Sequence, residues 1–236
     1  MDILKSKLKE LSGGKILDVA TQGGSFVDDM KSAFKDYDKA IGIDISDKKF
    51  DEGRQKFAGE PVEFIVMDGC NLTFDDESFD TVSISNGMHH MPDIGKAFAE
   101  MYRVLKPGGL FIIYEVCSGD LTEKQKSDEL RHHFKVKVDR AKGESHNYTL
   151  EKQEILNYAD NLGLASYEHF DFHCTECDPE EQDKIAEREK DIDDMLDSIK
   201  DYPEYEVLKI EAKQIKQRFR DIGYECATNL IVIGRK

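Results

Sequence analysis

Residues 16–24, Ile-Leu-Asp-Val-Ala-Thr-Gln-Gly-Gly (ILDVATQGG), decide the fold of this chain. An apolar run from Lys15 to Ala20 stops at a turn containing Gly23 and Gly24. Phe26, Val27, Met30 and Phe34 then follow at helical spacing. A short apolar strand, a glycine turn and an amphipathic helix make one repeat of an α/β sheet. The repeat recurs downstream. Ala40 to Asp44 (AIGID) reads as a strand, followed by a helix from about Asp47 with Phe50 and Phe57 one heptad apart. Val62 to Met67 and Phe79 to Ser85 are the next strands. Ile94, Ala97, Phe98, Met101 and Leu105 mark a helix that stops at Lys106-Pro107-Gly108-Gly109, before a strand from Leu110 to Glu115. Near-continuous apolar strands separated by helices predict a parallel sheet covered on both faces.

Asp18, Asp44 and Asp68 each close a strand, 26 and 24 residues apart, about one strand-helix repeat each. Open α/β sheets bind ligands outside the carboxyl ends of their strands. Three carboxylates are therefore expected on one rim. A strand-end acid such as Asp44 can accept from both hydroxyls of a ribose, which points to a nucleotide without choosing one.

The second half is less regular. Thr122 and Gln125 fit a capping box that opens a helix towards Arg131, and the stretch from Leu130 to Tyr148 reads as irregular. Leu150 to Leu162 reads as a helix, Ser166 to Phe172 as a sixth strand and Tyr224 to Ile233 as the last. Pro179 to Lys200 reads as a helix with Ile185, Ile192, Leu196 and Ile199 on one stripe; Leu208, Ala212, Ile215 and Phe219 mark another.

The ordered set ILDVATQGG, IGIDIS, VMDGCNLTFDDESFDTVSISNGMHH, YRVLKPGG and NLIVIGRK resembles the class I S-adenosylmethionine-dependent methyltransferases, and within them the small-molecule branch that includes the ubiquinone and menaquinone C-methyltransferases. The resemblance covers about residues 12–116 and the final strand, and nothing specific between 117 and 222. It implies a doubly wound, Rossmann-like, mostly parallel seven-stranded sheet with an antiparallel last strand, in a single methyltransferase domain over 1–236. It places an acceptor lid in 117–150. An acidic helical insertion at about 178–221 lies outside the family pattern. The implied activity is transfer of a methyl group from S-adenosyl-L-methionine to a small-molecule acceptor through a C, O, N or S nucleophile, by in-line displacement. The cofactor-binding positions would be Asp18, Ala20, Gln22, Gly24, Asp44, Ile45, Asp68, Gly69, Cys70 and Asn86. The family turn is usually Asp-x-Gly-x-Gly-x-Gly. Here Ala20 and Gln22 stand at its first two glycine positions and Gly24 at the third. Ile45 would pack on the adenine face, and Asp68 would accept from the adenine amino group.

His89 is the candidate acid/base, since histidine titrates near neutral pH. Being adjacent, His89 and His90 are expected to point apart. His90, His133, His146 and Tyr148 are the candidate acceptor-contacting residues. His173, Cys174 and Cys177 suggest a metal site, but no second Cys-x-x-Cys supplies the remaining ligands, so no metal is expected.

Composition narrows the partners. The formal charge of -16 argues against nucleic acid and against an anionic membrane surface. Half of that charge lies between Glu176 and Asp201, with 12 acidic and 4 basic residues, which reads as a solvated helical face or a docking surface for a basic partner. The insertion's apolar stripes are expected to pack on each other and to shield the pocket or a homodimer contact. The N-terminus is too polar for a signal peptide, and no apolar run approaches the ~20 residues of a membrane span. A cytoplasmic chain with five reduced thiols is the expectation. Two other readings compete: a non-catalytic or regulatory cofactor-binding protein on this fold, and a nicotinamide-dependent dehydrogenase, which the missing Gly-x-Gly-x-x-Gly disfavours.

Overall fold

The computed structural model describes residues 2–173 and 182–236. In chain order the elements are α1 (Asp2–Leu8), β1 (Lys15–Val19), α2 (Ser25–Ala33), β2 (Lys39–Asp44), α3 (Phe50–Lys56), β3 (Val62–Val66) and β4 (Phe79–Ser85). A 3₁₀ turn (Met88–His90) follows, then α4 (Ile94–Val104), β5 (Leu105–Ser118), α5 (Gln125–Ala141), β6 (Leu150–Glu151) and α6 (Lys152–Asn161). The chain ends with β7 (Ser166–Phe172), α7 (Gln182–Asp197), α8 (Tyr205–Ile222) and β8 (Asn229–Arg235). Among the described residues no helix is long and apolar enough to cross a membrane.

Two compact units divide the chain: Met1–Glu115 with Gln153–Phe172 and Leu230–Lys236, and Val116–Lys152 with His173–Asn229. The first unit carries the sheet, ordered β3-β2-β1-β4-β5-β8-β7. β1, β2, β3, β4 and β5 pair in parallel. β8 runs against β5: Gly108 N donates to Lys236 O at one end, and Cys117 N to Thr228 O at the other. The seven-stranded, mostly parallel sheet with a reversed last strand is thus present, and the two-residue β6 pairs with the Cys117–Ser118 end of β5.

Both faces are covered, as the apolar strands require. On one face α1, α2 and α3 bury Leu4, Leu8, Phe26, Met30 and Phe50, with Phe50 and Phe57 packed around Phe64 of β3. Gly53 in α3 is forced by this cluster, because a Cβ there would lie 2.5 Å from the Phe64 ring. On the other face α4 starts at an Asp93 cap accepting from Lys96 N, and its Phe98 meets Phe111 of β5 and Tyr158 of α6 edge-on.

The second unit is helical. Phe134 and Val138 of α5 pack with Ile192, Leu196 and Ile199 from the α7 side and with Leu208, Ile215 and Phe219 of α8. The capping box is made as expected, Gln125 N donating to Thr122 Oγ1 and Thr122 N to Gln125 Oε1. The irregular stretch expected from Leu130 is instead the body of α5. Its Phe-Lys-Val-Lys-Val pattern alternates like a strand, and tertiary contacts overrule it: Phe134 and Val138 are one turn apart and both buried. Buried Asp128 adds a tie, accepting from Ala227 N and the Tyr224 hydroxyl. Tyr224 and Ala227 are thus held by α5, and β8 starts only at Asn229.

Cys70 and Cys117 are free thiols, whereas Cys226 is disulfide-bonded, against the expectation of five reduced cysteines. Cys174 and Cys177 lie outside the described residues. His173 accepts or donates at Nδ1 with Thr228 Oγ1, 3.2 Å away.

Candidate functional site

The carboxyl ends of β1, β2, β3 and β4 form a rim, joined by direct contacts. Gln22 N donates to Asp44 Oδ2 at 3.1 Å, tying the turn after β1 to the end of β2. Met67 N donates to Asp44 O, tying the end of β3 to β2. A Cβ on Gly69 would sit 2.9 Å from Val19, and one on Gly87 would sit 2.7 Å from the Ala20 Cβ. The loops after β3 and β4 therefore both close on the turn after β1.

That turn is held in an unusual conformation. Ala20, Gln22 and Gly24 all have positive φ, at 59°, 47° and 78°. The left-handed region costs a side-chain-bearing residue roughly 1–2 kcal/mol. Ala20 and Gln22 thus keep the backbone that glycines would adopt freely. Gly24 has no alternative, because a Cβ would meet Phe57 at 2.8 Å and Phe64 at 2.9 Å. Asn86, after β4, is a further residue at positive φ, and its N–H donates to Tyr114 O.

The acids differ in setting. Asp18 is buried, with Ser83 Oγ donating to its Oδ1 at 2.7 Å. Its other oxygen is buried and makes no hydrogen bond among the described residues. Burial pushes the Asp18 carboxyl up to about 6, against the opposing pull of the nearby Thr21 and Ser83 hydroxyls. Asp44 is half-buried and also accepts from Ser46 N. Asp68 is exposed and accepts from Cys70 N at 2.8 Å. Arg103 and Glu100 brace the loop beyond it: Arg103 donates to the Leu72 and Phe74 carbonyls, and Glu100 accepts from Leu72 N. The Cys70 thiol donates to the Asp93 carbonyl, and burial raises its pKa.

Beside the acids lie two apolar side chains that the fold leaves bare. Ile45 is 76% exposed and Val66 is 56% exposed. Isolated exposed aliphatics are ordinary, but a pair beside strand-end carboxylates offers an apolar surface with polar groups at its edge.

His89 is buried in the 3₁₀ turn after β4, its Nδ1 hydrogen-bonded to Glu115 Oε1. Glu115 Oε2 accepts from Met88 N at 3.0 Å. The rings of His89 and His90 do not point apart: the tight turn brings them to 4.4 Å centroid to centroid, tilted at 45°.

The remaining sequence-predicted residues, His133, His146 and Tyr148, lie in the second unit. His133 Nε2 meets Thr149 Oγ1 at 3.1 Å, and its ring packs edge-on against Tyr148 at 4.7 Å. Burial, then the Lys137 charge, lowers the His133 pKa. His146 is buried, its Nδ1 2.6 Å from Asp139 Oδ2, with His132 edge-on at 5.1 Å.

Sequence reasoning missed Glu115, Thr21, Ser83, Gly87 and Val66. Glu115 was findable, since it follows an apolar run, just as Asp18 and Asp44 do.

Residues 17–113 match the profile of a family described as a methyltransferase domain. The demethylmenaquinone methyltransferase of Staphylococcus epidermidis is 36% identical over 111 residues, covering 47% of this chain and 46% of that protein. The match thus spans less than half the length of that relative. Among solved structures, the YcgJ protein from Bacillus subtilis superposes with a TM-score of 0.60 at 20% identity, over 99% of this chain and 96% of that one. Phosphoethanolamine N-methyltransferase 2 of Haemonchus contortus, in complex with S-adenosyl-L-methionine, gives a TM-score of 0.59 at 22% identity, over 99% of this chain and 51% of that one.

Proposed function

We propose that this chain, whose residues 17–113 belong to the class I S-adenosylmethionine-dependent methyltransferases, transfers a methyl group from that cofactor to a small-molecule acceptor. One observation carries this reading: the left-handed turn at Ala20, Gln22 and Gly24 is tied directly to the Asp44 carboxylate, with Ile45 bare beside it.

The residues fit the cofactor. Asp44 would accept from the ribose hydroxyls, Ile45 would lie on the adenine, and Asp68 would accept from the adenine amino group, with Gly69 and Cys70 offering backbone. Ala20, Gln22, Gly24 and Asn86 would border the methionine part. Asp18 supports the fit from another side, because a buried carboxylate oxygen without a hydrogen bond suits a cationic ligand. Bound there, S-adenosylmethionine supplies an activated methyl whose sulfur keeps the breaking bond's electron pair and becomes a neutral thioether. The protein's part is then chiefly to hold the acceptor in line, which can supply roughly 7–11 kcal/mol of the barrier. His89 would remove the proton that an acceptor carbon or oxygen must lose.

For the acceptor class we propose a reduced quinone ring, following the name of the Staphylococcus epidermidis relative. The test is incubation with cofactor labelled in its methyl group and a panel of hydroquinones and other small nucleophiles. Labelled product, lost in Asp44→Ala, supports the reading. Cofactor binding with no transfer to any acceptor would favour a binding protein instead, a reading that draws on Gln22 standing where the family turn carries glycine.

A further inference from the structure

The second unit leaves one flank of α8 uncovered. The inner stripe of this helix, Leu208, Ala212, Ile215 and Phe219, is buried in the cluster it shares with α5 and α7. On the neighbouring flank Val207 is 70% exposed, Ile210 is 65% exposed and Ile222 is 40% exposed. Val207 and Ile210 line a groove of about 500 Å³ together with Ile215 and, from α5, Leu130. Single exposed aliphatics need no explanation, but aliphatics gathered along one groove mark a binding surface.

The charges of this groove take opposite signs on the two sides of its middle. Its α8 residues recur at spacings of three and four, from Val207 through Glu211 and Gln214 to Arg218, and so follow one flank of the helix. Glu211 and Arg218 stand equally far from the midpoint between Gln214 and Ile215, and are about 10 Å apart along the axis. Val207 and Ile222 are also equally far from that midpoint. Both charged groups keep an atom to spare. Lys137 donates to Glu211 Oε1 at 2.6 Å, and Oε2 makes no hydrogen bond among the described residues. Arg218 donates from Nε to Ser127 Oγ and from Nη2 to the Glu123 carbonyl and carboxylate, and Nη1 makes none among the described residues. These intrachain bonds fix both groups in place, which lowers the entropic cost of a further pairing.

We propose that a second copy of this chain closes the groove, with α8 crossing the partner's α8 antiparallel on a two-fold axis at Gln214 and Ile215. A two-fold contact must be self-complementary, so one patch has to supply protruding side chains and a recess, an acid and a base. This patch supplies all four. Reversal about the midpoint brings Glu211 to the partner's Arg218 and Arg218 to the partner's Glu211, a carboxylate against a guanidinium twice over. It also sets Val207 against the partner's Ile222. A basic partner would use Glu211 alone and an acidic one Arg218 alone, whereas a second copy uses both. The formal charge of -16 opposes self-association, but α8 is an exception within it, with three acidic and five basic residues. The inference is independent of methyl transfer.

The test is analytical ultracentrifugation of the full chain over a rising concentration series. The wild type is expected to double in mass. Ile210→Glu, at an exposed position that leaves the core intact, should weaken dimerisation roughly 100-fold or more, because each substitution enters the contact twice. Charge reversal gives the sharper arm. Glu211→Arg alone sets guanidinium against guanidinium, and Arg218→Glu alone sets carboxylate against carboxylate, so each should be monomeric. Mixed in equal amounts, the two variants restore both pairs and should form a heterodimer, and recovery on mixing also shows that both fold.

A wild type that stays monomeric at every concentration would overturn the proposal. If that monomer bound an apolar dye and Ile210→Glu did not, the groove would be a small-molecule site instead. Dimerisation that survives Ile210→Glu would also overturn it, by placing the contact elsewhere. A mixture no more dimeric than its two components, both folded by circular dichroism, would refute the antiparallel pairing.

Discussion

Each unit of the molecule buries a histidine against a carboxylate, and the two pairs differ in what else the carboxylate touches. In the first unit Glu115 shares itself between His89 Nδ1 and the backbone N–H of Met88. In the second unit Asp139 Oδ2 meets both His146 Nδ1 and the Lys135 ammonium, which is 2.5 Å away. Burial pushes the Asp139 carboxyl up, yet the hydrogen bonds from His146 and Lys135 hold it at about 2. An ammonium at the same oxygen spends the carboxylate's charge, so Asp139 has less left for a developing imidazolium. Arg140 adds a hydrogen bond to the His146 carbonyl, which makes this second pair a brace between the end of α5 and the segment after it. The two carboxylates thus differ in their third partner, a backbone N–H in the first pair and an ammonium in the second.

Exchanging each histidine tests that contrast, and here the largest effect is expected. His89→Gln should lower methyl transfer roughly 10²–10⁴-fold, with the cofactor still bound. His146→Gln should instead cost about 1–3 kcal/mol of unfolding free energy, and touch turnover far less. Equal losses of turnover in steady-state assays would erase the distinction.

The buried acids give the next effect, with opposite signs of pH dependence. Asp18 has its folded-state pKa raised to about 6 from 3.8, so the native state holds the proton more tightly than the unfolded chain. Its contribution to stability is greatest below the unfolded value and is lost as pH rises through about 6, by roughly 3 kcal/mol. Asp139 is depressed, so its contribution is present above 3.8 and is lost as pH falls towards about 2. Denaturant unfolding across this range should show Asp18→Asn flattening the loss between about pH 4 and 6 while leaving the acid limb alone. An unaltered slope would mean that Asp18 is not the buried acid described.

How much of this was legible in the sequence varies by region. β1, β2, β4 and β5 are near-continuous apolar runs, so both their positions and their parallel pairing could be read. The strand-end rule found Asp18, Asp44 and Asp68. Glu115 also follows an apolar run, but its partner His89 lies 26 residues earlier in the chain. The close approach of His89 and His90 depends on a 3₁₀ turn that no periodicity announces. The second unit was harder because α5 gains its helix from Phe134 and Val138 meeting α7 and α8, not from its own pattern. Residues 224–228 look strand-like, but Tyr224 and Ala227 are tied to Asp128 of α5.

Smaller effects sharpen the picture of the rim. Asp44→Ala should weaken cofactor binding roughly 10- to 100-fold, the worth of charge-assisted hydrogen bonds of about 1.5–3 kcal/mol. An acid of the helical unit such as Asp193, paired to Lys216 on the surface, should leave binding unchanged when replaced by Ala. Smallest of all, Gln22→Gly should stabilise the chain by up to about 1 kcal/mol, since it relieves a left-handed side chain at some cost in unfolded-state entropy. A destabilised Gln22→Gly in thermal unfolding would show that the glutamine side chain holds the turn.

The most direct test of the whole account is calorimetric titration of the wild-type chain with S-adenosylmethionine. Saturable one-to-one binding is predicted above about pH 7, weakening towards about pH 5 as Asp18 takes up a proton and ceases to favour a cationic ligand. No heat of binding at millimolar cofactor, or binding that Asp44→Ala leaves untouched, would contradict it.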